Sequence, residues 1–238
     1  NQKRHNRPRL MVIGQSQQPT GYARVTTSLL YALVNDYEIH QFELYDVGGH
    51  IKYPWVIHRK QKEADVYGLE SVPALIETLC PSILLMIGDF HICGMYENLL
   101  RNLHSNMKVV YYMPCEGSDI SIHIVKSVQW VDYLVVYHEH SLAVLNSAFR
   151  SVKQDNPEMR IPKLEVIPHG INSEVFYPLV SREDQPDILA SRKQARALLF
   201  PGREDVQERF IVLNANRNTY RKRIDLTLKG FAEFVQKQ

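Results

Sequence analysis

Short apolar runs alternate with helix-type patterns along the chain. Most of these runs are continuously apolar, which is typical of parallel strands that are covered on both faces. They predict strands at residues 10–13, 39–44, 83–87, 109–112, 133–136, 164–167 and 210–213.

Helical patterns occupy the intervals between these runs. Apolar residues recur at 3.6-residue spacing in 22–33 and again in 224–235, so each segment is expected to bury one stripe against a sheet. Further helices are predicted at 71–79, 94–103 and 141–149, with one more inside 183–203. The alternation predicts an α/β fold, a Rossmann-like parallel sheet with helices on both faces, followed by the first strand and helix of a second Rossmann-like domain.

The sequence divides into four predicted parts. Residues 1–8 form a basic tail, 9–180 a Rossmann-like domain, 181–208 a charged inter-domain stretch, and 209–238 the beginning of an incomplete second domain. Two elements are rarely stable alone. We therefore expect either that this stub docks on the first domain or that a second chain completes it, and that the 238-residue chain is a fragment that is inactive by itself.

Composition removes several classes of protein. The chain has 238 residues, of which 45% are hydrophobic, and no apolar run approaches the roughly 20 residues of a membrane span. Lys and Arg (28) nearly balance Asp and Glu (26), so charge predicts no nucleic-acid partner and at most peripheral membrane association. Three widely spaced cysteines favour a reducing, cytoplasmic location over a disulfide framework.

Two loops have the composition of anion sites. The segment 14–24 links the first strand to the first helix, and free amides at such a helix start attract phosphate. It contains Gly21 and Arg24 but neither a dinucleotide fingerprint nor a P-loop. The segment 214–223 carries four cations between a predicted strand and helix, at the edge where open α/β sheets bind ligands. Either loop could also be an ordinary solvated turn.

Polar side chains also follow two other strands. Glu116 comes after the run 109–112 and could orient or deprotonate a hydroxyl, while Asp89 and His91 come after the run 83–87. Each is equally compatible with a plain turn or cap residue. The tripeptide 138–140 (His-Glu-His) predicts no metal site, because alternate residues diverge on a strand or helix and no further ligand lies near.

Together these segments resemble the retaining GT-B glycosyltransferases of the group-1 (family 4) type, including some bacterial and large-DNA-virus members. Residues 19–25 (P-T-G-Y-A-R-V) are similar to the family's glycine-rich first helix, with Thr20 in place of one glycine. Residues 167–178 (I-P-H-G-I-N-S-E-V-F-Y-P) are similar to its I-P-N/H-G-V-D-x-x-x-F-x-P signature. Arg217 and Lys222 keep the five-residue spacing of its G-R-L-x-x-x-K-G motif.

The resemblance implies a transferase that moves sugar from a nucleotide-diphosphate sugar to a glycan, lipid or protein acceptor, with retention of anomeric configuration. Arg217 and Lys222 would stabilise the leaving diphosphate as catalytic groups, and Glu116 would replace the family's catalytic-loop histidine. The phosphate contacts implied are Gly21, Tyr22, Arg24 and Asn216; Asp89 and His91 would lie on the acceptor side.

No cofactor or metal is expected, because the chain has no D-x-D pair and its fixed cations can neutralise the diphosphate. The chain departs from the family at Asn216 and Arg223, which replace glycines, and the donor-binding E-x(7)-E segment would follow residue 238. Two alternatives remain open: a nucleotide-sugar epimerase-like GT-B protein, and a non-catalytic module that binds phosphate or nucleic acid.

Overall fold

The computed structural model describes residues 7–100, 103, 106–118, 120–176 and 188–237. The chain divides into two compact units, Asn1–Gly170 and Ile171–Gln238. Of the predicted basic tail, residues 1–6 lie outside the described residues, as do the expected domain boundary at 180 and the residues 181–187 that follow it. The four-part division therefore stays a prediction.

The first unit contains one seven-stranded sheet. Its strands are β1 (Arg9–Gly14), β2 (Glu38–Glu43), β3 (Val56–His58), β4 (Ile83–Ile87), β5 (Lys108–Tyr112), β6 (Tyr133–Val136) and β7 (Lys163–Val166). They lie in the order β3-β2-β1-β4-β5-β6-β7, and every pair is parallel. The six strands predicted from apolar runs in this unit are confirmed. The short edge strand β3 was not predicted, because three half-exposed residues carry almost no periodic signal.

The helices of the first unit are α1 (Gly21–Leu33), α2 (Ser71–Leu79), α3 (Phe90–Leu100), α4 (Ile122–Val128) and α5 (Glu139–Asp155). One core cluster joins one sheet face to buried residues of α2, α3, α4 and α5, and the other joins the opposite face to Leu30 of α1. Helices thus cover both faces, as predicted, and the Rossmann-like α/β class is confirmed. The helix predicted at 94–103 begins earlier, at Phe90, because the turn after β4 passes directly into it.

The described residues of the second unit contain two α-helices, α6 (Ile188–Leu199) and α7 (Ile224–Gln236). They also contain two short 3₁₀ helices of one turn each, Glu204–Val206 and Tyr220–Lys222. Both predicted helices are present. The strand predicted at 210–213 is not formed: its residues pair with no other strand, and Phe210 and Leu213 are 85% and 82% exposed. A strand needs a hydrogen-bonded neighbour, and the described residues of this unit include no second strand. No helix among the described residues is long and apolar enough to cross a membrane.

Candidate functional site

The sheet order creates a crevice at the carboxyl ends of β1 and β4. These strands are neighbours, but the chain leaves β1 toward β2 on one side and leaves β4 toward β5 on the other. Open α/β sheets bind ligands at this kind of switch point, outside the carboxyl ends of the strands. The loops that follow β1, β4, β5, β6 and β7 therefore supply the candidate site of the first unit.

A phenol and a carboxylate meet at the centre of this edge. The hydroxyl of Tyr22, in the first turn of α1, donates to Asp89 Oδ1 at 2.6 Å, and Asp89 directly follows Gly88 at the end of β4. Burial, the hydrogen bond to Asp89 and its charge raise the pKa of Tyr22 well above its usual range. Tyr22 therefore stays protonated, and its hydroxyl proton is available to Asp89 or to a ligand that replaces it.

Glu116 reaches the same edge from the loop after β5. The buried Ser141 hydroxyl of α5 donates to the carbonyl of Cys115 and so anchors this loop. The Glu116 side chain is exposed, and its charge contributes to the raised pKa of both Tyr22 and Tyr137. The structure thus brings Tyr22, Asp89 and Glu116 into one electrostatic cluster, although 94 residues separate Tyr22 from Glu116 in sequence.

Sequence reasoning missed two aromatic residues of this cluster. Tyr137 follows β6, and its ring lies 3.8 Å from the ring of His169 and 4.7 Å from that of Tyr112, measured between centroids. Its hydroxyl is buried and has no hydrogen-bond partner within the described residues. Burial, with Tyr112 and the charges of Asp89 and Glu116, raises the pKa of Tyr137 above its usual range. His169 belongs to the I-P-H-G segment, which is similar to the family signature, so this segment could have identified His169 as a site residue.

Asp89 also connects the site to a second group of rings. His91, in the first turn of α3, is exposed and packs edge-on against Tyr67 at 6.5 Å, and Tyr67 packs in the same way against Tyr45 at 5.3 Å. Burial, Tyr67 and the charge of Asp89 raise the pKa of Tyr45 to about 12. Asp89 and His91 therefore both lie at the carboxyl edge, where Asp89 accepts a hydrogen bond from Tyr22; their acceptor-side role stays a prediction.

The start of α1 is open to solvent. Thr20 Oγ1 caps the helix by accepting from the amide of Ala23 at 3.1 Å, whereas the amides of Gly21 and Tyr22 donate to no acceptor within the described residues. A side chain at Gly21 would meet nothing within 4 Å. Arg24 is exposed and makes no ion pair in the described part of the chain. Two free amides and a helix N-terminus are suited to an anion.

The loop before α1 does not offer all of its amides, contrary to the expectation from sequence. The amides of Ser16 and Gln17 both donate to Glu43 Oε1, at 2.8 and 2.9 Å, and Glu43 is fully buried at the end of β2. Sequence reasoning did not select Glu43, because one glutamate at a strand end carries no distinguishing pattern. The amides of Ser16 and Gln17 are therefore not available to an anion, whereas those of Gly21 and Tyr22 are.

The second unit contains the basic loop 214–223. Asn214 anchors it by donating to Thr227 Oγ1 of α7 at 2.9 Å and by accepting from the amide and side chain of Asn216. The side chains of Arg217 and Lys222 are exposed and form no ion pair within the described residues. Part of the hydrogen-bonding capacity of Asn216, a predicted phosphate contact, is thus used by Asn214. The side chains of Arg217 and Lys222, the two predicted catalytic cations, are available to a ligand.

Histidine at 138 has a structural role. His138 Nδ1 accepts from the Ser141 amide at 3.1 Å and caps α5.

Within the described residues, no group of three or more His, Cys, Asp or Glu side chains could hold a metal ion. The three cysteines, Cys80, Cys93 and Cys115, are free.

Neither a protein-family model nor a curated protein sequence matches the chain. It is similar to the solved N-terminal domain of trehalose-6-phosphate phosphatase from Candida albicans, with a TM-score of 0.52 and 14% identity over 83% of this chain and 55% of that one. An apo structure of OtsA gives a TM-score of 0.47 and 15% identity, over 74% and 54% of the two chains. A trehalose-6-phosphate protein from E. coli bound with UDP-2-fluoro glucose gives 0.46 and 13%, over 78% and 54%.

The chain therefore spans about half of the length of the solved chains that it resembles. At 14% identity, the likeness to the Candida albicans domain shows a shared fold alone. It agrees with the parallel Rossmann-like sheet described above.

Proposed function

We propose that the chain belongs to a retaining glycosyltransferase of the GT-B, group-1 type, which transfers sugar from a nucleotide-diphosphate sugar to an acceptor without a metal. The shared fold and the sequence segments 19–25, 167–178 and 217–222 support this proposal. Because fold alone does not define an activity, the proposal rests on the chemistry of the two candidate sites.

The availability of Arg217 and Lys222 is the observation that carries the proposal. Their neighbour Arg223 is bound to Asp225, with a 2.8 Å contact, whereas Arg217 and Lys222 form no ion pair within the described residues. Cleavage at the anomeric carbon leaves growing negative charge on the diphosphate, and fixed cations can stabilise that charge without a metal. The two unpaired cations of the motif are therefore assigned to the leaving diphosphate.

The backbone after Lys222 supports the same assignment. Arg223 has a φ of +44°, in the left-handed region that favours glycine, and it stands where the family motif has glycine. The loop therefore adopts the conformation that the family's glycine would allow, in spite of the substitution. The long side chain points its charge at Asp225 and leaves Lys222 unpaired.

In the first unit, we assign the free amides of Gly21 and Tyr22 to a phosphate of the donor. Asp89 and Glu116 are assigned to hydroxyl groups of the acceptor, because a carboxylate accepts hydrogen bonds from hydroxyls and can take up a proton. Tyr22, whose phenol stays protonated, donates to whatever replaces Asp89 as its partner. His91 and Arg24 are assigned to the outer edge of these sites.

A nucleotide-sugar panel tests the proposal. Nucleotide-diphosphate sugars that bind the folded chain should raise its Tm, since a ligand that binds only the folded state stabilises it. Lys222→Ala should weaken this binding by about ten- to a hundred-fold, because a hydrogen bond to a charged group contributes about 1.5–3 kcal/mol. In a transfer assay of a protein that has a complete second domain, the same change should reduce the rate by about a hundred- to a thousand-fold.

Arg221→Ala is the matched control. Arg221 is exposed, unpaired within the described residues and adjacent to Lys222, but it lies outside the two motif positions. Both substitutions remove one positive charge from the same loop. Equal losses for Arg221→Ala and Lys222→Ala would contradict a specific diphosphate contact and would indicate a general charge effect.

A nucleic-acid-binding module is the second candidate function. Tyr220 is 90% exposed, and the Arg223 guanidinium lies 5.7 Å from its ring centroid, so the loop combines cations with an exposed aromatic face. Such a surface can stack a base and contact phosphates. Binding to single-stranded nucleic acid that falls steeply with salt, with no Tm response to any nucleotide-diphosphate sugar, would favour this candidate.

A further inference from the structure

Glu43 is a fully buried carboxylate that the proposed reaction does not use. Its Oε1 accepts from the amides of Ser16 and Gln17 at 2.8 and 2.9 Å. Its Oε2 accepts from the Ser16 hydroxyl at 2.6 Å and from Gln41 Nε2 at 2.8 Å. No cation pairs with it within the described residues. All four contacts are donors, and they match the acceptor-only character of a carboxylate.

The surrounding groups fix which atom faces Glu43. Gln41 Oε1 accepts from Trp55 Nε1 at 2.9 Å, so the amide nitrogen of Gln41 is the group directed to Glu43 and to Ser16 Oγ. Tyr53 in turn donates to the carbonyl of Ser16 at 2.8 Å. Buried polar networks in which every member is paired hold one arrangement, because any other arrangement leaves a donor or acceptor unsatisfied.

The rest of the β1–α1 loop is held by hydrogen bonds to residues that follow β2. Gln17 exchanges two hydrogen bonds with the backbone of Ile51, both at 2.9 Å, and Gln18 Nε2 donates to the carbonyl of Tyr45 at 2.6 Å. The carbonyl of Gln18 accepts from the amide of Thr20, the cap of α1, at 2.8 Å. The position of the α1 cap therefore follows from contacts that begin at Glu43.

We propose that Glu43 is a positioning residue that shapes the β1–α1 loop so that the amides of Gly21 and Tyr22 face the donor diphosphate. The inference rests on the proposed function. Glu43 draws the amides of Ser16 and Gln17 into the protein, whereas the first amides of α1 stay free for an anion. Burial of a carboxylate without a cation is costly, and strand pairing alone does not require this side chain.

Glu43→Gln tests this assignment, because it keeps the shape and replaces one acceptor oxygen with a donor. The NH₂ group of the new side chain then faces either the loop amides of Ser16 and Gln17 or the side-chain nitrogen of Gln41. Each of these groups is itself a donor, so the loop is expected to shift. We expect the backbone amide NMR signals of Ser16, Gln17, Gly21 and Tyr22 to move, and the affinity for pyrophosphate to fall at least tenfold. Pyrophosphate is the probe because it is the group shared by all nucleotide-diphosphate donors.

Val152→Ala is the control for general loss of stability. Val152 lies in α5, is 8% exposed and belongs to the core cluster of one sheet face, whereas Tyr53 and Trp55 of the Glu43 network belong to the cluster of the other face. This variant should lower Tm and leave the pyrophosphate affinity unchanged. Glu43→Asp keeps the carboxylate and should restore part of the affinity lost in Glu43→Gln, which a role limited to filling space would not explain.

The outcomes separate the two proposals. If the unsubstituted chain binds pyrophosphate and Glu43→Gln binds it equally well, the positioning role is wrong and the proposed function stands. If the unsubstituted chain binds neither pyrophosphate nor any nucleotide-diphosphate sugar, the diphosphate contacts that carry the proposed function are wrong and the positioning role falls with them. Should Glu43→Gln fail to fold, Ser16→Ala removes one hydroxyl donor from the network and should lower the affinity about threefold; unchanged affinity would overturn the inference.

Discussion

Gly68→Ala should destabilise the first unit strongly. Gly68 precedes α2 and has a φ of +72°, a conformation that costs an alanine about 1–2 kcal/mol. A Cβ there would lie 2.5 Å from Phe42 Cε1 and 2.8 Å from Val72 Cγ2, and both residues are fully buried. Overpacking of this kind typically costs about 1–3 kcal/mol. The expected loss is therefore about 2–5 kcal/mol, a large share of the 5–15 kcal/mol that typically stabilises a protein of this kind.

Gly48→Ala is the matched control, since Gly48 has a φ of +81° but nothing within 4 Å of the position that an added methyl group would take. It should lose only the backbone contribution of about 1–2 kcal/mol. Urea denaturation followed by circular dichroism measures both losses as shifts of the midpoint at equal slope. The unfolded chain has less conformational entropy with alanine than with glycine. This effect is the same in both variants, so it cancels when their stabilities are compared.

Two results would refute the close packing around Gly68. If Gly68→Ala and Gly48→Ala unfold at the same urea concentration, the close approach of Phe42 and Val72 is wrong. Phe42→Leu should also cost less in the Gly68→Ala background than alone, because it removes the ring atoms that the new methyl group meets. Simple additivity of the two losses would likewise contradict the contact.

Three further predictions concern the site, the edge strand and the chemistry. Tyr111→Phe should cost about 1–3 kcal/mol in urea denaturation, because the buried Tyr111 hydroxyl donates to the carbonyl of Gly88 at 2.8 Å; an unchanged midpoint would contradict this. Burial and His40 lower the pKa of His58 below its ordinary 6.5, so its contribution to stability is present above pH 6.5 and is lost as pH falls. Tm should therefore drop between pH 7.5 and 5.5, and less so in His58→Gln. Transfer activity, measured on a protein that has a complete second domain, should survive EDTA; loss that manganese restores would refute metal independence.

Much of the first unit could be predicted from sequence. Its continuous apolar runs are the central strands, because parallel strands covered on both faces must be apolar throughout, and the 3.6-residue spacing of 22–33 is α1. Local composition also marked the helix start at Gly21 and the basic loop 214–223, in which the resemblance to the family motif singled out Arg217 and Lys222. These features depend on neighbouring residues, which a sequence displays directly.

The failures have two physical causes, a missing strand partner and short length. The apolar run 210–213 has the composition of a strand, but a strand exists only when another strand pairs with it. The short helix α4 and the edge strand β3 are too brief to display a period. Composition states what a segment could form, whereas its partners decide whether it does.

Tertiary structure alone decided the candidate site of the first unit. Strand order places the ends of β1, β4, β5 and β6 at one edge, which brings together Tyr22, Asp89, Glu116 and Tyr137 from distant parts of the chain. The same is true of Glu43, which no local pattern marks and whose four donors come from two segments. The sequence by itself determined six of the seven strands of the sheet and most of the helices. The pairing of strands decided that the run 210–213 forms none and which polar side chains meet, because hydrogen bonds and charges act through space and not along the chain.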